Sequence, residues 1–176
     1  MDYFLLKQDK RYSYTPEILN LFKQINKKHI NLIDAHKVED EKILYVKSNE
    51  RNEYLDILDT QLFLVSENMK IILEKYNANV IFKMIALIDF HRSKQNIYYL
   101  PIFEEVEALS EDAELNLNKT VVKKIILSEE KIKNKKIFKI KESSNTLVVV
   151  RLDVAESLLR RNFEGIYLER LEIREK

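Results

Sequence analysis

The sequence contains no cysteine and a single glycine, Gly165, in 176 residues. Without cysteine there can be no disulfide, no thiolate nucleophile and no cysteine metal cage. At the usual frequency of about 7%, roughly a dozen glycines would be expected. Phosphate-cradling loops and dinucleotide turns need several, because the backbone must approach the ligand closely and visit positive φ. Both classes are excluded. No apolar run approaches 18 residues, and Met1 to Leu6 is followed at once by Lys7, Asp9, Lys10 and Arg11, unlike a signal peptide. The expectation is a cytoplasmic protein without a membrane segment. A basic excess is missing too: 30 Lys and Arg against 29 Asp and Glu leave a net charge of +1, whereas holding a polyanion requires surplus cations.

What is present suits a folded chain. Hydrophobic residues make up 45% and charged residues 34%, which argues against disorder. A chain of this length can bury roughly 70% of its extended surface. We expect a single compact domain over residues 1–176, compatible with an internal subdivision into 1–110 and 119–176.

Tyr3-Phe4-Leu5-Leu6 reads as a strand. Thr15-Pro16-Glu17 reads as a helix start, followed by Ile18, Leu19, Phe22 and Ile25 at helical spacing. Ile30 to Ile33 and Ile43 to Val46 are expected as short strands, and the polar stretch around Ser48 to Glu53 as a surface loop. Leu62 to Val65 is a strand, Ser66 a cap, and Met69, Ile72, Leu73 and Tyr76 one helical face. Asn77 and Asn79 would end that helix in the left-handed conformation. A strand from Val80 to Ile88 follows. The plan returns near the C-terminus: strand Leu147 to Val150, cap Asp153, Glu156 at the capping-box position, Leu158 and Leu159 on the apolar face, and Arg160 and Arg161 at the helix end. Gly165 then leads into Ile166-Tyr167-Leu168. Placing Gly165 over Asn79 sets Val149 over Phe63 and Leu158 over Ile72, an offset of 86 residues. Strand-like runs at Ile97 to Phe103, Val121 to Leu127 and Ile137 to Ile140 lie between the copies. The fold class is α+β, with antiparallel or mixed sheets, three principal helices and an internal strand–helix–strand repeat.

Chemistry-bearing residues are few. Asp34-Ala35-His36 and Asp89-Phe90-His91 end similar apolar runs. Asp34, His36, Asp89 and His91 could ligate a metal or exchange protons if they converged; a strand running into a polar turn produces the same text. Charge is segregated. Glu104, Glu105, Glu107, Glu111, Asp112 and Glu114 form an acidic segment without Lys or Arg, and nine lysines follow from Lys119 to Lys141. Solvated faces would explain both segments. A docking surface for a basic partner would explain the first, and nucleic-acid binding the second, although arginine, the preferred reader of bases and phosphates, is missing from it. Among nine tyrosines, Tyr12, Tyr14, Tyr98 and Tyr99 are candidate contact anchors. Adjacent strand residues point to opposite faces, so one of Tyr98 and Tyr99 belongs in the core.

The runs Phe63-Leu64-Val65-Ser66-Glu67, Leu73 and Val80-Ile81-Phe82-Lys83 resemble the core of a bacterial immunity-protein family, the eleventh in the polymorphic-toxin immunity series. The opening strand at Tyr3, the Tyr98-Tyr99-Leu100 segment and the ending Gly165-Ile166-Tyr167-Leu168-Glu169 are similar as well. In the final copy Arg151-Leu152-Asp153 replaces the expected Val-Ser-Glu. The resemblance implies a protein that neutralises a cognate toxin by direct stoichiometric binding, with no catalytic residues and no cofactor. If that toxin is a nuclease, its basic groove would suit the acidic segment Glu104 to Glu114. The alternatives are a nucleic-acid-binding accessory protein using Lys119 to Lys141, and a metal-dependent or acid–base enzyme built on Asp34, His36, Asp89 and His91.

Overall fold

A computed structural model describes residues 1–175. Strand β1 (Tyr3–Gln8) opens the chain, with Tyr3 and Leu5 buried on one face and Leu6 on the other. The helix expected from Thr15 is not formed there. The Gln61 side chain accepts from the Ile18 N–H (2.6 Å) and donates to the Ile18 carbonyl (3.0 Å), while the Leu19 N–H donates to the Tyr45 carbonyl (2.8 Å). These bonds hold the segment extended, leaving one helical turn, α1 (Leu21–Gln24), behind a left-handed Asn20. Residues 30–33 are a turn and not the expected strand, because Asn31 Oδ1 accepts from the Ile33 and Asp34 N–H groups (3.0 and 2.9 Å).

The first sheet is built from β2 (Glu41–Tyr45), β3 (Ile57–Leu58), β4 (Leu64–Val65), β5 (Ile81–Asp89) and β6 (Lys94–Ile102), in the order β2-β5-β6-β4-β3. Only β2 and β5 pair in parallel. Between β4 and β5 runs α2 (Glu67–Tyr76), capped by Ser66 Oγ accepting from the Met69 N–H and buried along Met69, Ile72 and Leu73. Its end differs from expectation: Asn77 is extended (φ −148°), and the left-handed asparagines are Asn20, Asn134 and Asn162.

Next come β7 (Glu105–Val106), a small hairpin of β8 (Glu114–Leu115) and β9 (Val122–Lys124), then β10 (Ile126–Ser128), the one-turn α3 (Glu129–Ile132) and β11 (Ile137–Ile140). The chain ends through β12 (Val148–Arg151), α4 (Leu152–Leu159), β13 (Ile166–Arg170) and β14 (Glu172–Arg174), which pairs with β10. The second sheet has the order β13-β1-β12-β11-β7. The fold is α+β with mixed and antiparallel sheets. Of its four α-helices among the described residues, two exceed a single turn, so the expectation of three principal helices holds approximately.

The repeat has a common geometry. In the first copy β4 and β5 flank the antiparallel β6; in the second β12 and β13 flank the antiparallel β1. Each strand–helix–strand unit is therefore split by one inserted strand, and β3 and β11 occupy corresponding places beside β4 and β12. The second helix departs in detail. Arg151, not Asp153, is its N-cap residue, and Asp153 instead holds the Arg151 guanidinium through two bonds of 2.9 and 2.8 Å. Leu158 is buried, but Leu159 faces solvent.

α2 and α4 pack together over a core shared by both sheets, including Leu6, Ile57, Val65, Leu73, Val150 and Leu158. The opposite face of the first sheet is covered by Ile18, Leu21, Ile25 and Val38, and that of the second by Leu109, Leu127 and Ile132. Among the described residues no helix is long and apolar enough to cross a membrane.

Gly165 makes the turn into β13 at φ +78°, its carbonyl accepting from the Asp9 N–H (2.7 Å). A Cβ there would lie 2.6 Å from Leu55 Cδ1 and 2.9 Å from Leu55 Cβ. Gly165→Ala should lower unfolding free energy by about 1–3 kcal/mol, read from the urea midpoint. Gly165→Asn, which tolerates the dihedral but keeps the Cβ, should recover only part of that loss.

Candidate protein-binding face

Strands alternate their side chains, so an edge strand covered on one side needs apolar residues at every second position only. β2 breaks that economy with Ile43, Leu44 and Tyr45 in succession. Leu44 is buried beside Leu87 in the core beneath the sheet, while Ile43 and Tyr45 point to the other face and are 56% and 51% exposed. The register extends this outward face across the sheet. Ile43 lies beside Ala86, which pairs with Ile97; Tyr45 lies beside Ile88, which pairs with Gln95; Glu41 lies beside Met84, which pairs with Tyr99. Leu19, bonded through its N–H to the Tyr45 carbonyl, adds a further exposed apolar side chain at the border.

This is the same face that α2 covers farther along. The helix stops short: Lys70 holds its ammonium 4.8 Å from the Tyr99 ring centroid and 5.6 Å from that of Phe82, and beyond it the sheet is open. Charges around the opening are mostly paired, Lys70 with Glu74 (3.1 Å) and Lys47 with Glu17 (3.5 Å); Glu41 has no ion-pair partner among the described residues. Sequence reasoning missed the face because Ile43 to Val46 was read simply as a strand. Three successive apolar residues were the available signal that both sides of that strand are apolar.

The acidic segment occupies a different place. β7 pairs in parallel with β11, setting Glu105 beside Lys139. Glu105 bonds Lys139 at 2.8 Å, Glu104 bonds Lys135 at 2.5 Å and Glu107 bonds Lys141 at 2.7 Å. The Lys141 ammonium holds the Glu107 carboxyl below its ordinary value by hydrogen bond and charge, and Glu107 in turn raises Lys141. Asp112 pairs with Arg174 (3.2 Å). Of the six acids, Glu111 and Glu114 are exposed and make no such pair among the described residues. These contacts and others engage much of the basic segment as well. Lys131 donates to the Leu109 carbonyl, Lys124 pairs with Glu172, and Lys136 lies over the Tyr76 ring.

Asp34 and His36 sit on a 3-10 turn, where Asp34 pairs with Lys37 (2.7 Å) and His36 Nδ1 meets the Ile33 carbonyl (3.2 Å). Asp89 is buried at the β5–β6 turn, accepting from Ser48 Oγ and the Arg92 N–H (3.1 Å each); exposed His91 packs on Phe90. Burial opposes the Asp89 charge, but those two bonds and the nearby Arg92 and His91 outweigh it and keep the carboxyl below its ordinary value. Among the described residues no three His, Asp or Glu gather as a metal site would require. A cleft of about 220 Å³ lies between the sheets, bordered by Asp59, Gln61 and Lys139. Their polar ends are engaged, with the Gln8 N–H, the Ile18 backbone and Glu105 respectively. Tyr98 is the core tyrosine, its hydroxyl donating to the Leu55 carbonyl (2.7 Å), while Tyr99 is partly exposed.

The chain thus offers an open apolar face and, among the described residues, no cluster that could hold a metal ion. Comparison with protein families gives a match to the immunity protein family Imm11 over residues 6–172, almost the whole chain. The protein is an Imm11 family member. The match takes in both repeats and the inserted strand β1 from Leu6 onward. No curated protein matches the chain significantly. Membership of Imm11 directs attention to surfaces that can hold another protein, and the geometry separates two: the open sheet face and the charge-paired β7–β11 seam.

The seam pairs should act chiefly within the fold. In a double-mutant cycle of Glu105→Gln and Lys139→Met, urea unfolding should give a coupling of about 0.5–1 kcal/mol that shrinks at high salt. The swap Glu105→Lys with Lys139→Glu should recover part of the stability lost by either change alone.

Proposed function

We propose that this Imm11 protein neutralises a cognate bacterial toxin by direct, stoichiometric binding in the cytoplasm, within a polymorphic-toxin system. The observation that carries the reading is the family match over residues 6–172. The physical character of the chain supports it. An inhibitor by surface contact needs a stable complementary surface and no reactive group, and immunity families of this kind act without catalysis. Two buried cores backing one sheet give such a surface its rigidity.

A basic nuclease docked on the acidic segment is the less favoured form of this reading. Glu104, Glu105, Glu107 and Asp112 already have intramolecular cations, leaving Glu111 and Glu114 to attract a basic groove. The same pairs weaken the nucleic-acid alternative, since Lys135, Lys139 and Lys141 face carboxylates. The enzyme alternative would need Asp34, His36, Asp89 and His91 to act together, and each of the two aspartates is engaged by groups near its own turn.

Co-expression with the toxin domain encoded by the adjacent gene should yield an equimolar complex on size exclusion with light scattering, and should protect cells from that toxin. Two folded proteins that elute separately, with no protection, would refute neutralisation by binding. On immobilised DNA the chain should show no strong retention at 50 mM salt, the condition under which a phosphate-neutralising protein binds best.

A further inference from the structure

We infer that the open face of the first sheet, centred on Ile43, Tyr45 and Ile97, is the surface that receives the toxin, and that it takes an uncharged apolar surface of that partner. The inference rests on the immunity reading above and specifies its contact. Ile43, Tyr45, Ile97 and Leu19 are 56, 51, 37 and 41% exposed. Their outward parts, with Met84 and Ile88 between them, make an apolar patch on the order of 400 Å², the size at which exposed apolar surface on a single chain is often functional.

Area and charge choose the occupant. A standard inhibitor–target interface buries about 800 Å² on each partner, with an apolar centre and a polar rim, whereas permanent homodimers usually bury more than about 1,000 Å² per subunit. The patch is large enough for the centre of the first kind and small for the second. Its border supplies the rim: Glu17 with Lys47, Lys70 with Glu74, and Gln95. With the rim charges paired in both signs apart from Glu41, the face projects only a weak field, so it complements a partner surface lacking a strong one. The strands are preorganised. Leu44, Leu87 and Leu100 lie fully buried directly beneath, so binding orders no loop. Tyr45, broad and with few rotatable bonds, is the anchor.

The test measures affinity of the full chain for the adjacent gene's toxin domain, with urea midpoints confirming that each variant folds. Ile43→Lys and Tyr45→Glu should weaken binding by at least about 30-fold, mainly through faster dissociation. The milder Tyr45→Ala should weaken it in the same direction without introducing a charge into the sheet. Wild-type affinity should change by less than about threefold between 50 and 500 mM salt, unlike an electrostatically steered pair. Normal binding by these folded variants, with loss on Glu111→Lys and Glu114→Lys, would overturn the inference while sparing the immunity reading. Self-association of the chain that Ile43→Lys abolishes would also overturn it, by assigning the face to a second copy. A wild-type chain that fails to bind the toxin would remove the immunity reading and this inference together.

Discussion

The second sheet depends on the insertion of β1 between β12 and β13. Those two strands belong to one strand–helix–strand unit and run parallel, and instead of pairing with each other each pairs antiparallel with the strand between them. β1 fills that place, pairing Phe4 with Val150 on one side and with Arg170 on the other. Its side chains serve both cores. Leu6 enters the shared core, Leu5 enters the one beyond the sheet, and the Tyr3 hydroxyl donates to the carbonyls of Ile132 and Lys135 (3.1 and 2.8 Å). Burying each of these large side chains contributes on the order of 1.5–3 kcal/mol, comparable with a sizeable part of a domain's net stability.

The two repeats are also fastened to each other by one carboxylate. Asp56 accepts from Ser66 Oγ (2.6 Å), the residue that caps α2, and from the Glu164 N–H (2.8 Å) at the turn into β13; its own N–H donates to the Glu164 carbonyl (3.0 Å). A helix start in the first copy and a strand start in the second are thereby fixed by the same residue. Gly165 follows directly, and the closeness of Leu55 explains why a glycine stands here. Elsewhere among the described residues the left-handed positions are taken by three asparagines, a serine and a lysine; asparagine tolerates this conformation better than most residues.

What could be read from the sequence was local. The strand–cap–helix pattern around Ser66, the 86-residue offset and the strand Ile137–Ile140 depend on neighbouring residues, and their elements appear where expected. Elsewhere the outcome turned on partners, several of them distant, that the local pattern does not show. The helix at Thr15 lost to Gln61, 43 residues away, whose amide takes both backbone groups of Ile18. Acidic and basic segments looked like two free faces because nothing local reveals that β7 and β11 pair in parallel. The open face was hidden for a similar reason: exposure of Ile43 and Tyr45 follows from where α2 ends in space, not from the composition of β2.

The place of β1 also sets an order for assembly on the ribosome. β1 leaves the exit tunnel well before its two neighbours, Val148–Arg151 and Ile166–Arg170. At 5–20 residues per second it waits on the order of ten seconds with its apolar side chains unpaired. The first sheet has no such delay, because all five of its strands lie between residues 41 and 102. The half of the molecule that bears Ile43 and Tyr45 can therefore align its strands while the other half is still being synthesised.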